Sequence, residues 1–256
     1  MTAMNVPFEA WVVAAGTSDA ARAKALENDP DFRRATTNVR LAASAVEVAL
    51  AKLPLPLGAL GLRVGLVVAT GHGELEPTAG FLLELGRSNV ARPLLFQNSL
   101  HNTVTGFLAQ RLRIEGPVTT VSDGMYSGED ALDVARTLLL SDADVVLVVG
   151  VDTFPPALEE LLPSLYPVGF RPADRAAAVV LANRAARARF PDAVALGPVE
   201  RSFEPRAPLG SVEGFFDAGA VAVLAEAVSL PGPERVVVRE LLDGNRSTWT
   251  LRWENR

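Results

Sequence analysis

A short β-rich segment that turns abruptly into a helix constrains this chain more than any other feature. Residues 118–121 favour a strand, and the small residues at 122–124 favour a sharp turn. Apolar residues then recur at helical spacing over 131–138. Backbone N–H groups point outward at a helix N-terminus and favour developing negative charge. Such a corner typically presents a nucleophile, but here it presents Met125.

Composition excludes several classes of protein. The chain has 256 residues, 49% of them hydrophobic, which is enough to bury a substantial core. A net charge of −6 without a Lys/Arg-rich block argues against nucleic-acid binding. The lack of cysteine excludes disulfides, thiolate metal sites and a cysteine nucleophile. No signal-peptide pattern or apolar run of about 18 residues is present, so we expect a cytoplasmic protein without metal, cofactor or membrane segment.

Strand and helix patterns alternate over the first 184 residues, which predicts an α/β layered sheet. The apolar run at 144–151 is typical of a strand covered on both faces. Residues 92–98 are predicted to be extended, and Asp152 and Asp174 to lie in loops or turns. The other predicted strands are 10–15, 62–70, 176–182, 194–199, 235–241 and 249–253. The predicted helices are 38–50, 77–85, 103–112 and one within 211–228, and 202–208 is predicted to be an irregular loop.

Several motifs, in the order in which the chain carries them, resemble a β-ketoacyl synthase of the thiolase superfamily. Their order and spacing follow that family over about residues 8–184. The motifs are Arg33-Arg34 before the helix at 40–50, the strand and loop at 64–71, residues 96–102 before a helix with Gly106, the Gly116-Pro117 corner, and the strands at 144–151 and 174–181. Residues 209–228 and 242–251 resemble short parts of the family's second half.

The resemblance implies a thiolase-like layered α/β/α sandwich. In that family, two similar α/β halves stack on each other. Here the resemblance implies a single domain over residues 1–256, with a complete first half at 1–184 and a shortened second half at 185–256.

The departures from the family pattern concern its catalytic residues. The family carries a cysteine nucleophile at the corner, and the matching position is Met125, with Gly124, Tyr126 and Ser127 beside it. A thioether neither ionises nor accepts an acyl group from a thioester. The family also uses two histidines, or a histidine and an asparagine, in its second half. This chain has two histidines, both in the first half and neither in a motif that matches those of the family's catalytic histidines. The resemblance therefore implies no catalytic residue.

Some of these residues allow more than one interpretation. Met125 fits a side chain that fills a former active site. A shift of one or two residues in the match would place Tyr126 or Ser127 at the corner, and Ser127 would then be a candidate nucleophile without a visible base. His72 is the better candidate for a polar group in a cleft, and His101 for a structural hydrogen-bonding residue. The acidic residues in the first helical turn, Glu129 and Asp130, are explained by the helix dipole.

The resemblance also suggests an interface and a tunnel. In thiolase-like dimers the strand before the corner pairs with its mate across a two-fold axis. The corresponding interface residues here are Val118, Thr119, Thr120 and Val121. The apolar, proline-punctuated residues 154–167 are expected either to contact a partner or line a tunnel, or to cover the core. The predicted tunnel residues are Phe96, His72, His101, Phe154 and Tyr166.

The function that this resemblance implies is that of a non-catalytic, chain-length-factor-type subunit. It would pair with an active β-ketoacyl synthase and shape the acyl tunnel in type II fatty-acid or polyketide biosynthesis, with aryl polyene pathways as the nearest analogy. One alternative is a stand-alone homodimer that binds an acyl chain or a carrier protein. Another is an enzyme with altered chemistry, such as a decarboxylase or thioester hydrolase. Docking of an acidic acyl carrier protein would need an arginine patch, for which the candidates are Arg184, Arg187 and Arg189.

Overall fold

The computed structural model describes residues 10–155, 160, 171–203, 213–215, 219–230, 232, 234–240 and 245–253. The helices in these ranges are α1 (Ala20–Ala25), α2 (Thr37–Leu50), α3 (Leu75–Ser88), α4 (Pro93–Asn98), α5 (Thr103–Leu112), α6 (Ser127–Ser141), α7 (Arg184–Arg187) and α8 (Gly219–Val228). The strands are β1 (Ala10–Asp19), β2 (Val64–Ala69), β3 (Val118–Val121), β4 (Val145–Asp152), β5 (Arg171–Pro172), β6 (Arg175–Ala182), β7 (Val194–Leu196), β8 (Glu200–Phe203), β9 (Glu213–Phe215), β10 (Glu234–Glu240) and β11 (Asn245–Trp253). None of these helices has the length and apolar character needed to cross a membrane.

Within the described ranges, nine strands form one mixed sheet. Its order is β10-β11-β7-β1-β6-β4-β2-β3, and β8 also pairs with β11. Strands β4, β2 and β3 are parallel, whereas β6 is antiparallel to both β4 and β1. The carboxyl ends of the three parallel strands therefore meet at one edge of the sheet, where ligands bind in open α/β sheets. Strands β5 and β9 form a separate parallel pair.

Two apolar cores cover the two faces of the sheet. One core packs α2 and α5 against the sheet and includes Leu41, Leu108 and Leu147. The other core contains residues of α6 and α8, such as Leu132 and Leu224, together with residues from both ends of the sheet. Helix α8 contacts β1, β4 and β6 as well as β10. Helices α6 and α8 therefore form the helical layer on this face of the sheet.

The contact between β1 and α2 depends on a glycine. A Cβ atom at Gly16 would lie 2.5 Å from both the Ala45 carbonyl oxygen and the Ala49 backbone nitrogen. Strand β1 continues through Gly16 to Asp19, so it is longer than the predicted strand at 10–15. The Thr36 side chain caps α2 by accepting a hydrogen bond from the Val39 N–H at 3.2 Å.

The structure confirms most of the predicted elements and corrects three predictions. Residues 92–98 were predicted to be extended but form α4, because Pro93 occupies the first helical turn, where its fixed φ suits a helix and its missing N–H is harmless. Asp152 is not a loop residue but the buried last residue of β4. Residues 202–203, predicted to be irregular, belong to β8 and pair with β11. The remainder of that predicted loop lies outside the described residues.

Candidate functional site

The predicted corner lies where β3 turns into α6. Gly124 has a φ of +49°, a left-handed conformation that glycine adopts without strain. Two backbone hydrogen bonds close the turn, from the Tyr126 N–H to the Asp123 carbonyl at 3.0 Å and from the Ser127 N–H to the Gly124 carbonyl at 3.1 Å. Tyr126 is the N-cap residue of α6, and Met125 is half-buried in the turn. The sharp turn that the sequence predicts is therefore present, with a thioether at its tip.

Ser127 holds the corner together from inside. Its side chain is completely buried. Its hydroxyl oxygen accepts a hydrogen bond from the Asp123 N–H at 2.9 Å, and its proton faces the carbonyl oxygens of Gly124 at 2.6 Å and Thr70 at 3.1 Å. A hydroxyl engaged in this way and shielded from solvent offers no nucleophile. Its burial and its hydrogen bonds argue against Ser127 as a nucleophile.

A buried ion pair joins the corner to the C-terminal hairpin. Glu129 on α6 is fully buried, and both of its carboxylate oxygens accept hydrogen bonds from Arg239 Nη1 on β10, at 2.6 and 2.7 Å. The same nitrogen donates to the Met125 carbonyl at 2.8 Å. Burial raises the pKa of Glu129, and the Arg239 charge opposes this rise. The guanidinium therefore bridges the backbone of Met125 and the first turn of α6.

This ion pair is not apparent from the sequence, where the helix dipole alone explains Glu129. A fully buried carboxylate needs a partner, and that partner is Arg239. Gly219 makes room for the guanidinium, because a Cβ atom there would lie 3.3 Å from Arg239 Nε. The feature of the sequence that could have indicated the ion pair is Arg239, a charged residue directly after the apolar residues 236–238 of β10.

The loop after β2 is held by the end of β4. Asp152 Oδ1 accepts three hydrogen bonds, from Thr70 Oγ1 at 2.8 Å, the Gly71 N–H at 2.9 Å and the His72 N–H at 3.2 Å. Thr70 in turn accepts a hydrogen bond from the Gly73 N–H at 2.9 Å. Because the Thr70 carbonyl also faces the Ser127 hydroxyl, the carboxyl ends of β2, β3 and β4 are joined in one hydrogen-bonded network.

Two of the predicted tunnel residues lie together at this edge of the sheet. The rings of His72 and Phe154 meet edge to face, with their centroids 6.2 Å apart. Phe154 is buried, and its N–H donates to Asp174 Oδ1 at 3.0 Å. Tyr166, the third aromatic residue predicted for the tunnel, lies outside the described residues.

The other two predicted tunnel residues lie on the α3–α4 side of the molecule. His101 is exposed in the turn between α4 and α5, and its ring covers Gly73, where a Cβ atom would lie 2.7 Å from His101 Cδ2. Phe96 on α4 is 52% exposed and packs against Phe81 of α3, with ring centroids 5.7 Å apart. Phe96 therefore has a different aromatic neighbour from that of His72.

Strand β3 is an edge strand within the described part of the chain. The Pro117 carbonyl accepts the Leu66 N–H, and the Val121 carbonyl accepts the Thr70 N–H, so residues 117, 119 and 121 direct their backbone groups toward β2. Since alternate residues point in opposite directions along a strand, the N–H and C=O groups of Val118 and Thr120 face the open edge. The Val118 side chain is 46% exposed there.

Helices α3 and α4 carry apolar side chains that the described structure does not cover. No residue of α3 is buried, although the helix has 14 residues. Leu82 is 58% exposed and Leu83 is 60% exposed. The other large apolar side chains exposed in this region are Val90, Leu94, Phe96 and Leu100. We refer to residues 75–100 as the α3–α4 unit.

The arginines proposed as a docking patch have different surroundings. Arg184 and Arg189 are exposed, whereas Arg187 is half-buried. Arg189 donates to the Leu60 carbonyl, so that side chain is engaged in holding the fold. A separate open cavity of about 580 Å³ lies between the N-terminus of α2 and helices α4 and α5, with Arg34 and Asn98 in its lining.

A family model described as the N-terminal domain of β-ketoacyl synthase matches residues 33–192, which is more than half of the chain. This match covers β2, β3, the corner with Met125, and the loop held by Asp152. No curated protein matches the chain in sequence.

Solved structures that resemble this chain include three ketosynthase complexes. The ketosynthase ApeO in complex with its chain length factor ApeC from Xenorhabdus doucetiae matches with 18% identity and a TM-score of 0.62, over 93% of this chain and 97% of that chain. The ishigamide ketosynthase/chain length factor matches with 16% identity and a TM-score of 0.75, over 96% of this chain and 99% of that chain. The complex AntDE:AntF, a type II acyl-carrier protein with its ketosynthase, matches with 14% identity and a TM-score of 0.73, over 96% of this chain and 99% of that chain. These similarities confirm the predicted thiolase-like layered α/β fold.

Proposed function

This chain belongs to the β-ketoacyl synthase family, and from that premise we propose that it is a non-catalytic subunit of the chain-length-factor type. The observation that carries the proposal is the composition of the corner. Met125 stands at the tip, the chain contains no cysteine, and Ser127 beside it is buried and fully engaged. Acyl transfer from a thioester requires a nucleophile that can form a covalent intermediate, and this corner has none. The active site of the complex would then belong to a catalytic β-ketoacyl synthase.

The open edge of β3 supports a paired assembly. An edge strand with outward-facing N–H and C=O groups is a template for pairing with another strand. The predicted interface residues Val118, Thr119, Thr120 and Val121 form this strand, and their pairing with a ketosynthase is part of the proposal. Here Val118 and Thr120 would supply the backbone hydrogen bonds to the partner strand.

The exposed apolar residues of the α3–α4 unit support the same assembly. Natural monomers rarely expose a contiguous apolar patch of this kind unless it is an interface or a binding site. Leu82, Leu83 and Leu94 are each at least 46% exposed, and we propose that a ketosynthase partner covers them.

The proposed role in biosynthesis is to shape the acyl tunnel of the pair. The residues proposed for that tunnel are Phe96, His72, His101, Phe154 and Tyr166. Two similar structures are complexes of a ketosynthase with a chain length factor, and a third holds an acyl-carrier protein with its ketosynthase. By analogy, we propose a type II polyketide or polyene pathway, with an acyl carrier protein as the second partner of the assembly.

The proposal is tested by co-purification of interface variants with the ketosynthase from the native host. The Val118→Pro variant removes an N–H that faces the open edge and leaves the hydrogen bonds to β2 intact. We expect it to retain the fold, measured by circular dichroism, and to recover much less ketosynthase. The matched control is Val236→Pro, at the opposite edge of the sheet on β10, which should recover as much ketosynthase as the wild type. Equal recovery by Val118→Pro would contradict pairing through β3.

A further inference from the structure

One acidic side chain is buried at the base of the α3–α4 unit. Glu74 is 2% exposed and immediately precedes α3. Its Oε1 accepts a hydrogen bond from Thr36 Oγ1 at 2.8 Å, and Thr36 is the N-cap of α2. The carboxyl group of Glu74 therefore connects the start of the unburied helix α3 to the start of the buried helix α2.

The contacts that attach α3 to the sheet are concentrated at its N-terminal end. Asn38 Nδ2 donates to the Gly73 carbonyl at 2.8 Å, and the Gly73 N–H donates to Thr70. Thr78 Oγ1 reaches the Glu74 carbonyl at 2.7 Å and the Ser99 carbonyl at 3.2 Å. Because no residue of α3 is buried, apolar packing contributes little to holding this helix in place. Its position depends on this short polar segment and on α4.

We propose that Glu74 is a protonation-dependent anchor, which holds the α3–α4 unit on the molecule while its carboxyl group is neutral and loosens it when the group ionises. A neutral carboxyl group is compatible with burial, whereas an ionised one is strongly disfavoured away from water. The hinge would lie at Gly71–Gly73, where Gly73 adopts a φ of +62°.

The surroundings of Glu74 favour its neutral form up to about pH 7. The pKa of Glu74 is raised to about 7, mainly because the side chain is buried. The hydrogen bond from Thr36 lowers this pKa, and the negative charge of Glu76 raises it. Asn38, which donates to the carbonyl of Gly73 next to Glu74, has its Oδ1 buried without a hydrogen-bond donor among the described residues. A protonated Glu74 carboxyl group would add a donor to this segment. The other ionisable side chains on the adjoining elements include Arg34 before α2, Arg40 and Glu47 on α2, His72 after β2, Asp152 on β4 and His101 before α5.

The test is hydrogen–deuterium exchange of the isolated chain at pH 6 and pH 8, with exchange times scaled for the intrinsic pH dependence of the chemistry. A group whose pKa falls from about 7 in the closed state to 4.5 in the open state makes opening about tenfold more favourable at pH 8 than at pH 6. Peptides from α3 should therefore exchange faster at pH 8, and peptides from α2 should not.

The Glu74→Gln variant should abolish the pH difference, because the amide keeps the acceptor for Thr36 and cannot ionise. Glu76→Gln is the matched control, since it removes a carboxylate from the exposed first turn of α3, and it should retain most of the pH difference because Glu76 is the smallest of the three causes of the Glu74 pKa shift. The anchor is excluded if wild-type α3 exchanges equally at both values of pH. It is also excluded if Glu74→Gln keeps the wild-type difference. The isolated chain reports this property, so either result is independent of whether a ketosynthase partner exists.

Discussion

The corner and the α3–α4 unit differ in how they use their side chains. At the corner, polar and charged groups are buried and matched to partners: Ser127 binds backbone atoms, and Glu129 binds Arg239. In the α3–α4 unit, large apolar groups such as Leu83 remain exposed. The corner, which carries the nucleophile in this family, is held together in this chain by buried hydrogen bonds and an ion pair. The α3–α4 unit, whose helices have no buried residue, is the region suited to contact another molecule.

Breaking the buried ion pair between Glu129 and Arg239 should have the largest effect on the free energy of unfolding. Removing one partner of a buried ion pair leaves an uncompensated charge and costs about 3–5 kcal/mol. We therefore expect Arg239→Met to lower the free energy of unfolding by about that amount, measured by urea denaturation. The control is Arg252→Met, at an exposed arginine that pairs with Glu234 on the same hairpin. It should change stability by less than about 0.5 kcal/mol.

The double variant Arg239→Met with Glu129→Leu sharpens this test. It removes both charges and replaces them with apolar groups, so it should be more stable than Arg239→Met alone. If the double variant is no more stable than the single variant, the ion pair does not account for the loss.

The second effect is the pH dependence that Glu74 confers. Its pKa is about 7 in the folded protein and 4.5 in the unfolded chain. Because the folded pKa is the higher one, the neutral form favours folding, and its contribution is complete below pH 4.5 and lost as the pH rises through 7. Stability should therefore fall by roughly 3 kcal/mol from this group between these values. In the Glu74→Gln variant the free energy of unfolding should fall less with rising pH, by about the contribution of this group. Denaturation curves measured at several pH values give this difference.

A smaller effect is expected from the hydroxyl that closes the corner. Ser127→Ala removes a fully buried hydroxyl that accepts from the Asp123 N–H and faces the carbonyl of the buried Thr70, which should cost about 1–3 kcal/mol. Ser99→Ala is the control, because that exposed hydroxyl binds only the carbonyl of its own turn. A Ser127→Ala protein as stable as the control would mean that the corner does not depend on this hydroxyl.

The smallest effect on the isolated chain is expected in the α3–α4 unit. Leu83→Ser removes an apolar side chain that is 60% exposed, so it should change the free energy of unfolding by less than about 0.5 kcal/mol. Leu41→Ala in α2, a helix of the same length, should cost about 2–5 kcal/mol, because Leu41 is fully buried. A large loss for Leu83→Ser would show that α3 is part of the core.

The sequence predicted the central strands and the corner because their signals are local. The apolar run of β4 and the small residues around Gly124 each specify their own conformation. The Glu129–Arg239 pair could not be predicted, because its partners are 110 residues apart and each has an ordinary local explanation. The sequence likewise predicted helices at 38–50 and 77–85 but could not indicate that the described chain buries α2 and leaves α3 uncovered. The division into halves at residue 184 stays a prediction.

The measurement that tests the central claim most directly is the mass of the native complex, determined by light scattering after a tagged pull-down from the host. The account predicts one copy of this 27.1 kDa chain with one copy of a full-length β-ketoacyl synthase that carries the catalytic cysteine. A homodimer of twice 27.1 kDa, or a monomer, with no ketosynthase bound would contradict it.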